Sequence, residues 1–311
     1  MLKNSNSIAA FGTVNTILEI EDGIHLIKNP HNTYFVSSVL ITGESLTLID
    51  AGRVESPSRT IYPYIRALGR DPEEIDLIVL THAHWDHCAG AAQIKMETGC
   101  EVAVHTRGET YLKNPRKVTM ELGSRFPGIP AGSMAEFGAV EPVTPLEEGS
   151  EIHLDGRKLK VIHTPGHSAC SCCIVEPDLG LYITGDTIQG RGERRPLIFG
   201  DVEEYLASMK RLLREPIKTV VNGHPFPPSG KGVLRGGEAI LQIEESIRAV
   251  EELRRTILRI LDESRGPLNV MEVFEAADAS QPFTIGCLLE ALEAEGEATR
   301  ETIGGNVLWR R

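Results

Sequence analysis

The sequence predicts an α/β fold followed by a smaller, mainly helical C-terminal domain. Three observations point that way. Apolar, β-branched runs of strand length alternate with helical stretches over residues 1–238, and histidines or aspartates follow several of those runs directly. Beyond residue 238 the texture changes to long helical periodicity that closes on a hairpin.

The elements justify this in order. "GIHLIKN", "TYFVSSVLIT" and "SLTLIDAG" read as strands bounded by turn-forming residues. "SPSRTIYPYIRALG" reads as a helix capped by Ser56 or Ser58 and stopped by Gly69, with Pro57 at the first helical position and Pro63 as a kink or a delay. "IDLIVLTH" is a buried strand by its continuous apolar run, and it leads straight into "VLTHAHWDHCAG". A helix through "AGAAQIKMETG", the strand "EVAVH" and a short helix near "RGETYLK" follow. Residues 114–145 hold Pro115, Pro127, Pro130, Pro142 and Pro145 without a clean period, and predict a lid or binding loop. Strands are then expected at "SEIHLD", "KLKVIHT", "SCCIVEP", "GLYITGD" and "IKTVVNGH", with the amphipathic helix "VEEYLASMKRLLRE" before the last.

The boundary falls at 1–238 and 239–311. Ile240, Ile243, Ile247, Val250, Leu253, Ile257 and Ile260 form one stripe of a long helix, expected to pack on the chain's own body in preference to forming a dimer seam. "NVMEVFEAA" and "PFTIGCLLEALEAEG" add two helices, and "EATRETIGGNVLWRR" turns at Gly304-Gly305, an order that suggests a winged-helix-like unit. Residues 240–311 carry 8 Arg and Lys against 14 Asp and Glu, opposite in sign to a DNA-gripping wing.

Composition narrows the function classes. A formal charge of −12 over 311 residues disfavours non-specific binding to nucleic acid or anionic membrane. No stretch approaches the roughly 18 apolar residues of a membrane span. The start, "MLKNSNSIAAFGTVNTILEI", lacks the pattern of an export signal. The six cysteines do not resemble the disulfide framework of a short secreted domain. The expectation is a cytoplasmic protein acting on a small molecule, with a homodimer left open.

The chemistry lies at the ends of the apolar runs. "THAHWDH" supplies His82, His84, Asp86 and His87; "TPGHS" supplies His167, "ITGD" Asp186 and "VNGH" His224. Strand ends deliver side chains to a common crevice. Neutral imidazole and carboxylate suit zinc and other first-row divalent ions. Seven donors exceed what one tetrahedral ion uses, whereas two ions bridged by a carboxylate and a water-derived hydroxide employ them all.

On these residues the chain resembles the metallo-β-lactamase superfamily, over roughly residues 12–235. The resemblance implies an αββα sandwich with metals at one edge. It implies one site of His82, His84 and His167, a second of Asp86, His87 and His224, and Asp186 bridging the two. Two Zn2+ ions are expected, with Fe or Mn as alternatives, and Asp86 is expected to move the proton in hydrolysis. Asp50 of "LIDAG" and Thr81 are candidates to orient ligand imidazoles. The chain is most similar to the glyoxalase II-like branch with a C-terminal winged-helix-like extension, which implies a thioester or related acyl ester as substrate. A lactonase, a phosphodiesterase, or a mononuclear-iron persulfide dioxygenase-like oxidoreductase are the alternatives.

Weaker signals complete the reading. Arg191 and Arg194, with Arg195 beside them, are candidates to clamp a substrate anion, against a solvated loop. Cys170 and Cys172 are expected on one side of a strand and Cys173 on the other, packing as small hydrophobes. "GHPFPPSGKG" lacks phosphate-loop spacing and reads as a surface loop.

Overall fold

The computed structural model describes residues 17–130, 137–192, 194–278 and 280–311. The N-terminal stretch read for an export signal, apart from its last four residues, and residues 131–136 of the irregular segment lie outside them.

Two sheets form in chain order. The first runs β1 (Glu19–Glu21), β2 (Ile24–His31), β3 (Tyr34–Thr42), β4 (Leu46–Ile49), β5 (Ile75–Leu80), β6 (Glu101–His105) and β7 (Thr144–Leu146). Its first four strands pair antiparallel and β4 to β7 pair parallel. The second runs β8 (Glu151–Leu154), β9 (Arg157–His163), β10 (Cys172–Glu176), β11 (Leu181–Gly185), β12 (Thr219–Asn222) and β13 (Val233–Arg235), antiparallel except for β11 against β12. The parallel segments need helical crossovers. These are α1 (Tyr62–Ala67), α2 (Trp85–Cys88), α3 (Ala91–Thr98), α4 (Glu109–Lys113), α5 (Lys117–Arg125) and α6 (Val202–Leu212). The chain ends in α7 (Gly237–Glu263), α8 (Val270–Ala277), α9 (Pro282–Ala294) and the hairpin β14 (Thr299–Ile303) and β15 (Asn306–Arg310). Gly304 and Gly305 both adopt positive φ at its turn, 58° and 84°, as a tight hairpin turn demands.

Apolar side chains separate the layers. Val39, Ile49, Val79, Val161, Ile174, Ile183 and Val221 meet between the two sheets. Ile65, Ile78, Leu80, Ile94 and Val102 join the first sheet to its helices, while Val175, Tyr182, Met209, Ile243, Val250, Leu288 and Trp309 join the second sheet to α6 and the C-terminal elements. The result is the expected helix–sheet–sheet–helix sandwich. The α7 stripe faces inward: Ile243, Val250, Leu253 and Ile257 lie in the same core as α6, so the apolar face is covered by the chain itself.

Three local expectations change. Ser56 does not cap the helix after it; its hydroxyl accepts from the Arg53 N–H at 3.0 Å, while Pro57 does take the first helical position. The irregular stretch holds α5, whose sparse apolar content hides its period: Leu122 is its buried residue, and Phe126 just beyond it fills the space that Gly286 of α9 leaves open. The cysteines divide three ways. Cys172 lies between the sheets, Cys173 on the outer face of the second sheet and Cys170, before β10 begins, in the core of the first sheet. All six cysteines are free and buried, in keeping with the packing role. Among the described residues no helix is long and apolar enough to cross a membrane.

Candidate metal centre

The donors meet because of strand direction. β9 and β11 both pair antiparallel with β10, and β11 pairs parallel with β12, so their C-terminal ends share one edge of the second sheet. His167, Asp186 and His224 follow those ends. His82 follows β5 and Asp50 follows β4, at one edge of the first sheet. The Cys172 N–H donates to the Thr81 carbonyl at 2.9 Å and joins the two edges.

Close approach explains two glycines. A Cβ on Gly223 would overlap the Asp186 carboxylate and lie 2.7 Å from His87 Cε1. Gly185, at φ 48°, has its missing Cβ directed into the Thr81 hydroxyl. These glycines clear room for the donors as well as turning the chain.

Ligand atoms converge in three overlapping groups: His82, His84 and His167; His82, His87 and Asp186; and Asp86, His87 and His224. Within each group the ligand atoms lie inside 4.8 Å of one another. Asp186 spans the set, with Oδ1 3.2 Å from His87 Nε2 and Oδ2 3.4 Å and 3.7 Å from the Nε2 atoms of His224 and His167. All seven donors of the sequence pattern therefore come together.

Partners on the far side of each ring set which nitrogen faces inward. His87 Nδ1–H donates to Asp50 Oδ2 at 2.8 Å, His167 Nδ1–H to the Leu197 carbonyl at 2.8 Å, and His224 Nδ1–H to the Phe35 carbonyl at 3.1 Å. Thr81 donates its N–H and hydroxyl to Asp50, both at 2.8 Å, so its oxygen is left to accept from His82 Nδ1–H at 3.1 Å. Each leaves Nε2 with a free lone pair. His84 instead turns Nδ1 inward, 2.9 Å from His167 Nε2. Asp50 thus lies against Thr81 and His87, and Thr81 against His82; Asp50 reaches both partners from a left-handed backbone at φ 60°.

Electrostatics divide the cluster. Burial, with neighbouring imidazoles, holds His82 well below the ordinary histidine value and pushes His84 down to about 3; burial likewise lowers His167. These rings are neutral and keep lone pairs to give. At His87 and His224 burial is outweighed by Asp186 and Asp86, which raise both, His224 to about 9. Asp86 and Asp186 stay ionised, because the adjacent His87 and His224 overcome the effect of burial. Without a metal this half holds protons where a cation is called for. His82 Nε2 is moreover buried with no hydrogen-bond partner among the described residues, a costly state that coordination relieves. The residues present fit divalent metal.

The centre opens into a cleft of about 470 Å³ bounded by Tyr34, Trp85, Phe199 and Phe226. Arg194 and Arg195 line it. Arg191 does not: its guanidinium pairs with Glu245 at 2.5 Å and Glu252 at 3.1 Å, both on α7, which corrects its expected place at the substrate. Arg195 lies 4.9 Å over the Phe226 ring and has no carboxylate partner among the described residues.

Sequence reasoning missed Gln189. Fully buried, it donates to the carbonyls of Asp186 and Leu197 at 2.9 Å each and accepts from the Leu197 N–H at 2.7 Å, so it fixes the carbonyl that orients His167. No local pattern marks it, because its partners come from its own irregular loop. The supports of that loop are remote. Ser246 of α7 accepts from the N–H groups of Gln189 and Gly190, Thr284 of α9 from that of Ile198, and Ser280 donates to the Pro196 carbonyl.

Comparison with known proteins agrees with this geometry. The chain is 32% identical over 211 residues to the acyl-coenzyme A thioesterase MBLAC2 of Gallus gallus, covering 60% of this chain and 70% of that protein. It is 27% identical over 307 residues to "Probable metallo-hydrolase YqjP" of Bacillus subtilis, covering 87% and 92%. A crystal structure of a metallo-beta-lactamase family protein from Thermus thermophilus shares the fold with a TM-score of 0.76 at 20% identity, over 94% of this chain and all of that one. Hydrolase relatives and a metal-fitting cluster together mark the chain as an enzyme of this fold. Residues 30–224 match the family model of the metallo-beta-lactamase superfamily, and the chain belongs to that superfamily.

Proposed function

We propose that the protein is a dimetal hydrolase acting on a thioester or related acyl ester, on the glyoxalase II-like side of its superfamily. The observation that carries the dimetal reading is the Asp186 carboxylate, set between His167 of one triad and His87 and His224 of the other. His82, His84 and His167 would hold one ion and Asp86, His87 and His224 the second, with Asp186 shared; the nitrogen and oxygen donors suit Zn2+. The chemistry supplied by bound divalent ions is Lewis acidity and a pKa of water lowered toward about 7.

The chain's own residues do the rest. Asp86, partly open to the cleft and 3.3 Å from His224 Nε2, is ionised and placed to take a proton from attacking water and return it to the leaving group. Trp85, Phe199 and Phe226 narrow the cleft around the reacting carbonyl. Arg195, with Arg194 at the rim, meets an anionic group on the leaving portion of the substrate. The thioesterase among the relatives supports the thioester, and the order of three helices and a hairpin supports a winged-helix-like C-terminal unit that walls the site.

Elemental analysis is expected to give two zinc ions per chain. A panel of thioesters, lactones and phosphodiesters is expected to show thioester turnover that a chelator abolishes, and Asp86→Ala should remove turnover from a folded protein. One iron per chain, with oxygen consumed on a persulfide, would replace the hydrolase reading with the oxidoreductase one.

A further inference from the structure

Beside the metal cleft lies a second cavity of about 330 Å³. The two share a wall: His84 and Phe199 line both. The second is built by α4, α5 and the chain around Ser168–Cys170 and Gly200–Glu204.

Its charged groups are already engaged. Arg107 pairs with Glu204 at 3.2 Å, and the Tyr111 hydroxyl donates to Glu121 at 2.7 Å. Arg125 donates to Glu290 at 2.8 Å and to the Gly200 carbonyl at 2.7 Å. Asp201 accepts from the Glu204 N–H at 2.8 Å as the cap of α6. The rest of the lining is mostly apolar, with Ala83, Val118, Leu122, Cys170 and Phe199 beside His84 and Ser168, whose hydroxyl is bonded to Ser171. The metal cleft is the converse, since Arg195 stands there without a carboxylate partner among the described residues.

We propose that this second cavity is the subsite for the uncharged acyl chain of the substrate, entered past His84 and Phe199. This rests on the acyl-ester reading above. The charge distribution then orients the substrate: the alkyl chain runs toward α5, the carbonyl sits at the metal centre, and the anionic leaving group lies toward Arg195. A self-neutralised rim over an apolar floor gives an alkyl chain burial without asking it to replace any ion pair.

The test is the dependence of kcat/KM on acyl length. With straight-chain thioesters the zinc-loaded enzyme is expected to gain about fourfold per methylene until the cavity is full. Val118→Trp should shorten the optimum, with a loss that grows with chain length, and Val118→Ala should move it to longer chains. A profile that neither variant moves, or a Val118→Trp loss equal at every length, would overturn the assignment. Binding of 1-octanol by calorimetry tests the cavity without catalysis. Wild type should bind it more tightly than 1-butanol and with a negative heat-capacity change, and Val118→Trp should lose that preference. Octanol binding with no thioester turned over would fail the reaction and keep the subsite; octanol affinity equal in wild type and Val118→Trp would fail the subsite alone.

Discussion

On the first-sheet side of the metal centre, His82, His84, Asp86 and His87 lie within six consecutive residues, and two of them, His82 and His87, are oriented through one aspartate. Asp50, at the end of the neighbouring strand β4, binds both Thr81 and His87. On the second-sheet side the three donors come from three strand ends, and the loop carrying Asp186 runs on to Asp201 before the next helix begins. That loop is fastened by Ser246, Glu245, Ser280 and Thr284, all in the C-terminal elements. On the second-sheet side His224 is held by the Phe35 carbonyl of the first sheet, whereas the loop that carries Asp186 and orients His167 is tied to the C-terminal elements.

The comparison breaks most sharply at Asp50. Asp50→Ala removes the acceptor that orients His87 and leaves the buried Thr81 N–H without a partner. Losing such a support to a ligand imidazole typically costs about 10- to 100-fold in metal affinity. In the proposed two-metal centre the loss should concentrate in the ion that Asp86, His87 and His224 would hold, read as early release of one metal in a chelator competition. Simultaneous, equal release of both ions would mean that the two halves are not separately supported.

Gln189→Ala tests the other half. It removes the donor that fixes the Leu197 carbonyl, so His167 keeps its acceptor but that acceptor is no longer held in position. Metal affinity should fall by about tenfold, at the lower end of such effects because the loop keeps its ties to α7 and α9. The ion released early should now be the one that, on the two-metal proposal, His82, His84 and His167 would hold. Restoration by Gln189→Glu is not expected, since a carboxylate cannot donate to the carbonyls of Asp186 and Leu197.

The same contrast explains what is legible in the sequence. Side chains packed into a short motif, or placed one after each apolar strand, announce themselves by spacing, and the seven candidate donors can be found that way, whereas Asp50 and Thr81 are candidates only through the family resemblance. Gln189, Tyr34 and Phe199 carry no such mark: Gln189 matters through partners in its own irregular loop, and the two aromatics through the shape of the cleft. Helix α5 is hidden for a related reason: it is short and has few apolar residues, and Phe126, just beyond it, seats it against Gly286 of α9. The lid expected from its prolines is thus, in its described part, a packed wall. Arg191 is misplaced by sequence reasoning because charge near a site does not say which way a long side chain turns.

That misplacement supplies the finest test, set within a single pentapeptide. Arg195→Ala removes a guanidinium that faces the cleft over Phe226 without a carboxylate partner among the described residues. KM for an anionic thioester should rise about three- to tenfold, the range of a partly screened charge contact, with metal content unchanged. Arg191→Ala should leave KM alone. Its cost is to stability, and a small one, because the Arg191 side chain is partly exposed and Arg248 remains 2.5 Å from the buried Glu245 to hold that carboxylate. A denaturant midpoint shifted slightly at fixed slope would place Arg191 with α7, as a fastener of the loop. If instead the two variants raised KM alike, Arg191 would have to leave Glu245 when substrate binds, and the division between a loop that is tied down and a guanidinium that is free to bind would not hold in solution.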